Sequence, residues 1–157
     1  MPESLRTKLA RLGFNWFPAY RATGARITYI ASDWCEVRVR LPLSRRTKNY
    51  VGTIFGGSMY GAVDGVHMVM LIKLLGPDYL VWDKAATIRF RRPGREPLYA
   101  TCRLAAEELA AVRTEVDQSG KTEREFTVEW VNAAGEVHAS CQKLLSIRRR
   151  RAADPVP

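Results

Sequence analysis

The chain has 157 residues, the length of one compact domain. Its 46% hydrophobic and 26% charged residues are an ordinary globular balance, which excludes wholesale disorder, a collagen-like repeat and a disulfide scaffold. The 25 Lys and Arg against 16 Asp and Glu leave a formal charge of +9, an excess that favours anionic partners: nucleic acid, lipid headgroups or a phosphate-bearing small molecule. Cys35, Cys102 and Cys141 are odd in number, far apart and form no CxxC pair, so a zinc site, a redox motif and a disulfide framework are not expected. Each is expected to be a small buried hydrophobe on an alternating strand, and reduced thiols fit a cytoplasmic protein. Met1 to Arg11 is basic and amphipathic and lacks the apolar h-region of a secretory signal.

In chain order, Leu5, Leu9 and Leu12 recur at helical spacing. The aromatic cluster Phe14, Trp16, Phe17 and Tyr20 is expected to pack this short N-terminal helix onto the body. Residues 25–31 and 35–41 alternate at period two and form a strand pair around Ser32-Asp33. A basic loop, 42–50, leads into a long helix from about Phe55 to Leu75, stopped by Gly76-Pro77. Residues 54–75 are the one stretch to weigh as a membrane span. Asp64, His67, Lys73 and four glycines argue for a buried core helix instead, because an acid near a bilayer centre costs ~2.5–3.5 kcal/mol. Strands are expected over 80–91, 97–105, 123–132 and 136–147, while 107–116 stays divided between helix and sheet edge. The fold class is α+β: a long central helix wrapped by an antiparallel sheet of about six strands, with a short N-terminal helix. One domain is expected over residues 1–147, followed by a basic, flexible tail over 148–157 that contains Arg148 to Arg151.

The helix is apolar nearly all round, so it should be buried, and Asp64 is its one acid. An unpaired buried carboxylate is costly and its pKa would rise in compensation. Positions 57, 61, 64, 68 and 71 share a stripe, and the first two are glycines. That leaves bare backbone between the N–H groups of the helix N-terminus and Asp64, where a carbonyl could be polarised and attacked. Close packing against a second helix, with Asp64 as a satisfied core acid, accounts for the same spacing equally well.

The segment Asn49-Tyr50-Val51-Gly52-Thr53-Ile54-Phe55-Gly56-Gly57, followed by Asp64, resembles the NxxGTxHGG…D signature of hot-dog-fold acyl-CoA thioesterases of the phenylacetate-pathway type. More closely, it resembles a subgroup of unassigned function with Phe in place of the histidine. The resemblance implies the hot-dog fold over nearly the whole chain. It implies that Asp64 is nucleophile or general base, that the N–H of Gly56 or Gly57 polarises the thioester carbonyl, and that Asn49 orients the carbonyl or the water. It further implies a homodimer, with room for a tetramer, in which Asn49 faces Asp64 of the other chain. Phe55 removes one polar contact. Asp83 or Lys84 lies where some relatives place a Ser or Thr that positions water, and a Lys there could pair with the carboxylate.

An acyl tunnel would be lined by Phe55, Met59, Tyr60, Gly61, Met68 and Leu71. Lys84, Arg89, Arg91 and Arg92 would form a phosphate patch for coenzyme A, which enters as part of the substrate. An acyl carrier protein is the other candidate carrier. No other cofactor and no metal is expected, since two histidines without HxxxH spacing make a poor ligand set. His67 is a partner for Asp64 or a core histidine, and His138 is structural. A non-catalytic acyl-CoA or lipid-binding protein is the alternative function. A nucleic-acid binder is a third, without a readout motif to support it.

Overall fold

The structure, a computed structural model, describes residues 1–152 and Asp154. Residues 153 and 155–157 of the expected tail lie outside the described residues. The elements are α1 (Leu5–Trp16), α2 (Pro18–Ala22), β1 (Arg26–Ile30), β2 (Glu36–Leu41), α3 (Gly56–Gly61), α4 (Val66–Leu75), β3 (Tyr79–Phe90), β4 (Leu98–Arg103), α5 (Ala106–Ser119), β5 (Lys121–Val131) and β6 (Val137–Arg149). Six strands pair antiparallel in the order β1-β2-β4-β5-β6-β3. Strand chemistry decides which face they bury. Val37, Val39 and Leu41 of β2 and Leu98, Ala100 and Cys102 of β4 point inward, while Arg38 and Arg40 point to water. The sheet curls over α3 and α4. Fully buried Trp130 of β5 donates its indole N–H to the Met59 carbonyl at 2.9 Å, tying helix to sheet.

The expected single helix is broken at its centre. Gly65 takes φ +70°, a left-handed conformation open to glycine at little cost, and starts α4 afresh. The Tyr20 hydroxyl donates to the Ala62 carbonyl at 3.3 Å within the break. By length and composition Gly56–Leu75 could cross a bilayer, but half of it is buried in the fold and the break falls inside it. Residues 107–116 resolve into helix. Leu109, Val112 and Val116 face the sheet, Glu107 and Glu108 suit the positive first turn, and Gly120 at φ +77° ends it.

Two further expectations change. Cys35 is half-buried and precedes β2, although Cys102 and Cys141 are buried strand residues as expected. Of the aromatic cluster expected to pack α1 onto the body, Phe14 and Tyr20 do so, while Trp16 and Phe17 are exposed. The helix docks through Thr7, Ala10 and Phe14, and Leu5, Leu9, Leu12 and Trp16 are exposed. α1 also covers the β1 edge. The Asn15 amide accepts from Ile27 N and donates to Ile27 O, both at 2.9 Å, and Glu3 accepts from Ile30 N at 3.0 Å. At the opposite end of the sheet β3 pairs with β6 on one side and, among the described residues, with no strand on the other, and Lys84 to Thr87, Arg89 and Phe90 are exposed.

Candidate active site

Asp64 sits in the helix break, and the break decides its surroundings. Its side chain is 48% exposed, so the expectation of a buried, unpaired acid is wrong. Freed from a continuous helix, the carboxylate turns onto β6, where Oδ1 accepts from Lys143 Nζ at 2.7 Å and from the Tyr60 hydroxyl at 3.0 Å. Lys143 is completely buried, and its Nζ also lies 2.9 Å from Asp83 Oδ1, an ion pair outside well-aligned hydrogen-bond geometry. Burial pulls the Lys143 pKa down, but the Asp64 hydrogen bond and both carboxylate charges outweigh it and hold the pKa above the ordinary value. Burial and the bond to Asp64 push the Tyr60 pKa up, which keeps its hydroxyl a donor. Among the described residues no hydrogen bond engages Asp64 Oδ2. The acid therefore presents one pinned and one available oxygen at the lip of a hollow of about 340 Å³ that Gly61, Met68 and Phe17 also line.

The glycine-rich loop builds a second, separate feature. Asn49 closes the turn 49–53: its Oδ1 accepts from Thr53 N and its Nδ2 donates to Thr53 Oγ1, both at 2.9 Å. Gly52 takes φ +83° in that turn. Ile54 N donates to Gly94 O at 2.8 Å, which fixes the loop against the turn after β3. α3 then starts at Gly56. Two exposed rings stand close over this start: a Cβ would lie 2.6 Å from the Phe90 ring at Gly56 and 2.3 Å from the Phe55 ring at Gly57, so either ring would have to shift to admit one. A cavity of about 400 Å³ opens here between Asn49, Gly56, Met59, Phe90, Arg91 and Arg92. The first N–H groups of a helix have no intrahelical partner, so those of Gly56 and Gly57 can meet a ligand oxygen.

Within one chain the two features do not meet. Gly56 and Asp64 are eight residues apart, roughly 12 Å by helix rise, and line different hollows. The expected tunnel residues separate likewise: Met59 lines the Asn49 cavity, Tyr60 holds Asp64, Gly61 and Met68 line the Asp64 hollow, and Leu71 is sealed in the core. Of the basic patch, Arg91 and Arg92 reach the cavity. Arg89 is exposed on β3, and Lys84 pairs with Glu123 at 2.6 Å rather than with Asp64. His67 is a core residue, stacked on Phe126 at 4.6 Å, and burial pulls its pKa down to about 4. His138 is buried, its ring nitrogen 3.2 Å from Pro93 O. No group of three potential metal ligands occurs among the described residues.

Sequence reasoning missed Lys143. Its signal was phase: in β6 it falls between Cys141 and Leu145 on the inward register, where a lysine needs buried anions.

A family model described as a domain of unknown function, DUF4442, matches residues 7–147. Among solved structures the chain is similar to a Pseudomonas aeruginosa protein of unknown function described as a probable thioesterase. The identity is 26% over 96% of this chain and 99% of that one, with a TM-score of 0.80. It is also similar to a Chlorobaculum tepidum protein of unknown function, at 19% identity, 92% and 95% coverage and a TM-score of 0.74. A thioesterase from Haemophilus influenzae shares 12% identity over 97% of each chain, with a TM-score of 0.69. At these last two identities the likeness concerns the fold. No curated protein matches the chain.

Proposed function

The chain belongs to the DUF4442 family and has the hot-dog fold, and from that premise we propose that it hydrolyses an acyl-CoA or related thioester at a site completed between two copies. The observation that carries this reading is Asp64: a carboxylate open to solvent on one oxygen and pinned on the other by Lys143 and Tyr60. The thioester carbonyl oxygen takes the N–H groups of Gly56 and Gly57 of one copy. Asp64 of the other copy removes a proton from water as the water adds to the carbonyl carbon. The tetrahedral oxyanion is held by the same N–H groups, and its collapse breaks the C–S bond while the proton taken by Asp64 passes to the leaving thiolate, giving acid and thiol. In the nucleophilic variant Asp64 attacks the carbon itself, the thiolate leaves and takes a proton from water, and the resulting acyl–Asp anhydride is hydrolysed by a second water. Asn49, already locked by Thr53, presents its remaining polar capacity to the same cavity. Arg91 and Arg92 lie at the cavity wall, where they suit the phosphates of coenzyme A.

The open edge of β3 supports a homodimer as part of this reading. Two such strands pairing antiparallel would give a continuous twelve-stranded sheet with both broken helices on one side. A tetramer would be a further assembly of such dimers, and a cytoplasmic location suits a soluble thioester.

A panel of acyl-CoA thioesters tests the reading. Asp64→Asn should lower the rate ~10²–10⁴-fold, and equal rates for the two proteins would reject the role of Asp64. Mixing Asp64→Asn with Asn49→Ala chains after subunit exchange should restore about a quarter of wild-type activity, because half of the dimers then hold one intact site. One observation favours a second reading, a non-catalytic acyl-CoA binder: the Phe55 and Phe90 rings crowd the start of α3. Calorimetric binding of acyl-CoA without turnover at any chain length would select it.

A further inference from the structure

We propose that the outer face of α1 is a docking surface for an anionic lipid bilayer. Leu5, Leu9, Leu12 and Trp16 are 74%, 60%, 49% and 70% exposed. At ~100° per residue they fall within an arc of about 60°, an unbroken apolar ridge along the helix. Phe17 continues the ridge at the α1–α2 corner and is also exposed. The inner face is already committed: Thr7, Ala10 and Phe14 pack on the body, and Asn15 and Glu3 are bonded to β1. The ridge is therefore presented on a rigidly held helix and does not serve the protein's own core. Contiguous exposed apolar surface of this kind marks an interaction site.

Charge selects the occupant. Arg6 and Lys8 stand on either side of the ridge, and the Arg21 guanidinium lies over the Trp16 ring at 5.1 Å. The acid nearest in sequence, Glu3, is spent on Arg11 at 2.8 Å. A second copy of the chain would bring these cations against themselves, which disfavours self-pairing through this face. A leaflet of anionic lipid offers both complements at once. Its acyl boundary takes Leu5, Leu9 and Leu12, its headgroups take Arg6 and Lys8, and its interface suits the amphipathic Trp16 ring. The net charge of +9 draws the whole molecule to the same surface. Phe17 also lines the Asp64 hollow, but Leu5, Leu9, Leu12 and Trp16 line neither that hollow nor the Asn49 cavity, so substituting the leucines touches neither site.

The test is flotation of the full chain with vesicles of phosphatidylglycerol and phosphatidylcholine, against pure phosphatidylcholine, with Trp fluorescence in parallel. Wild type should float with the anionic vesicles on the order of tenfold better than with the neutral ones, and less at high salt. The triple variant Leu5→Ser, Leu9→Ser, Leu12→Ser should lose flotation at an unchanged melting temperature. The double variant Arg6→Glu, Lys8→Glu should lose it too, which keeps the idea falsifiable should the serines disturb folding. Absence of wild-type flotation, or equal flotation by wild type and both variants, would overturn it. So would a change in oligomeric state of the triple variant in lipid-free buffer, which would assign the ridge to a second copy.

Discussion

The two ends of the sheet are treated in opposite ways. At β1, a strand of five residues, the protein supplies its own substitute for a neighbour: Asn15 exchanges two hydrogen bonds with Ile27, and Glu3 takes the N–H of Ile30. At β3, a strand of twelve residues, no strand pairs with the outer edge among the described residues, and its middle, Ala85, Ala86 and Thr87, is exposed. An open edge of that length is a template for another chain. The difference bears on the homodimer proposed above. The chain closes the β1 edge and leaves bare the one whose Phe90 ring lies against Gly56, so a second copy paired on β3 would also border the Asn49 cavity.

The strongest way to break this comparison is proline on the open edge, placed at Ala85 and Ala86 in turn. Successive N–H groups point to opposite sides of a strand, so one of the two variants removes only an outward donor. That variant should be monomeric by light scattering and its hydrolysis should fall to background, with its melting temperature reporting an intact fold. A dimer of full activity from both variants would show that β3 is not the contact.

Next in size is Lys143→Met. Lys143 bridges Asp83 of the open-edge strand to Asp64 of the helix break. Removing it leaves two carboxylates facing each other and should cost about 3 kcal/mol in urea unfolding. The loss should be smaller if Asp64→Asn is present as well.

A pH titration acts on neither edge and so serves as the reference. His67 is held neutral by burial, with its pKa lowered from 6.5 to about 4. The unfolded chain takes up this proton at the higher pH. Stability is therefore unaffected by His67 above pH 6.5 and is lost as pH falls through the window to 4, the total loss being on the order of 3 kcal/mol below it. His67→Gln should flatten that part of the stability curve.

The smallest effect belongs to the sealed edge. Asn15→Ala should cost about 1–2 kcal/mol by leaving Ile27 without its two side-chain partners. It should also raise amide exchange at Ile27 toward the rates of exposed loop N–H groups. Unchanged exchange at Ile27 would show that Asn15 does not protect the edge.

What the sequence determined by itself is the set of elements and most of their inward residues. Six strands, a short first helix and the central helical stretch are legible because period two and period 3.6 record which side chains share a face. The Asn49–Gly57 loop and Asp64 were legible as a motif for the same local reason. Periodicity does not say which face meets the core. The Leu5, Leu9, Leu12 spacing marked a helix but not its orientation: the stripe is outward, because Thr7, Ala10 and Phe14 fit the body while Asn15 fits the β1 edge. Asp64 looked buried and is open, because Gly65 breaks the helix and Lys143 lies 79 residues away in sequence. Tertiary structure decided these matters: the energy of a charge or an apolar face depends on neighbours brought together from distant segments, and no local pattern contains them.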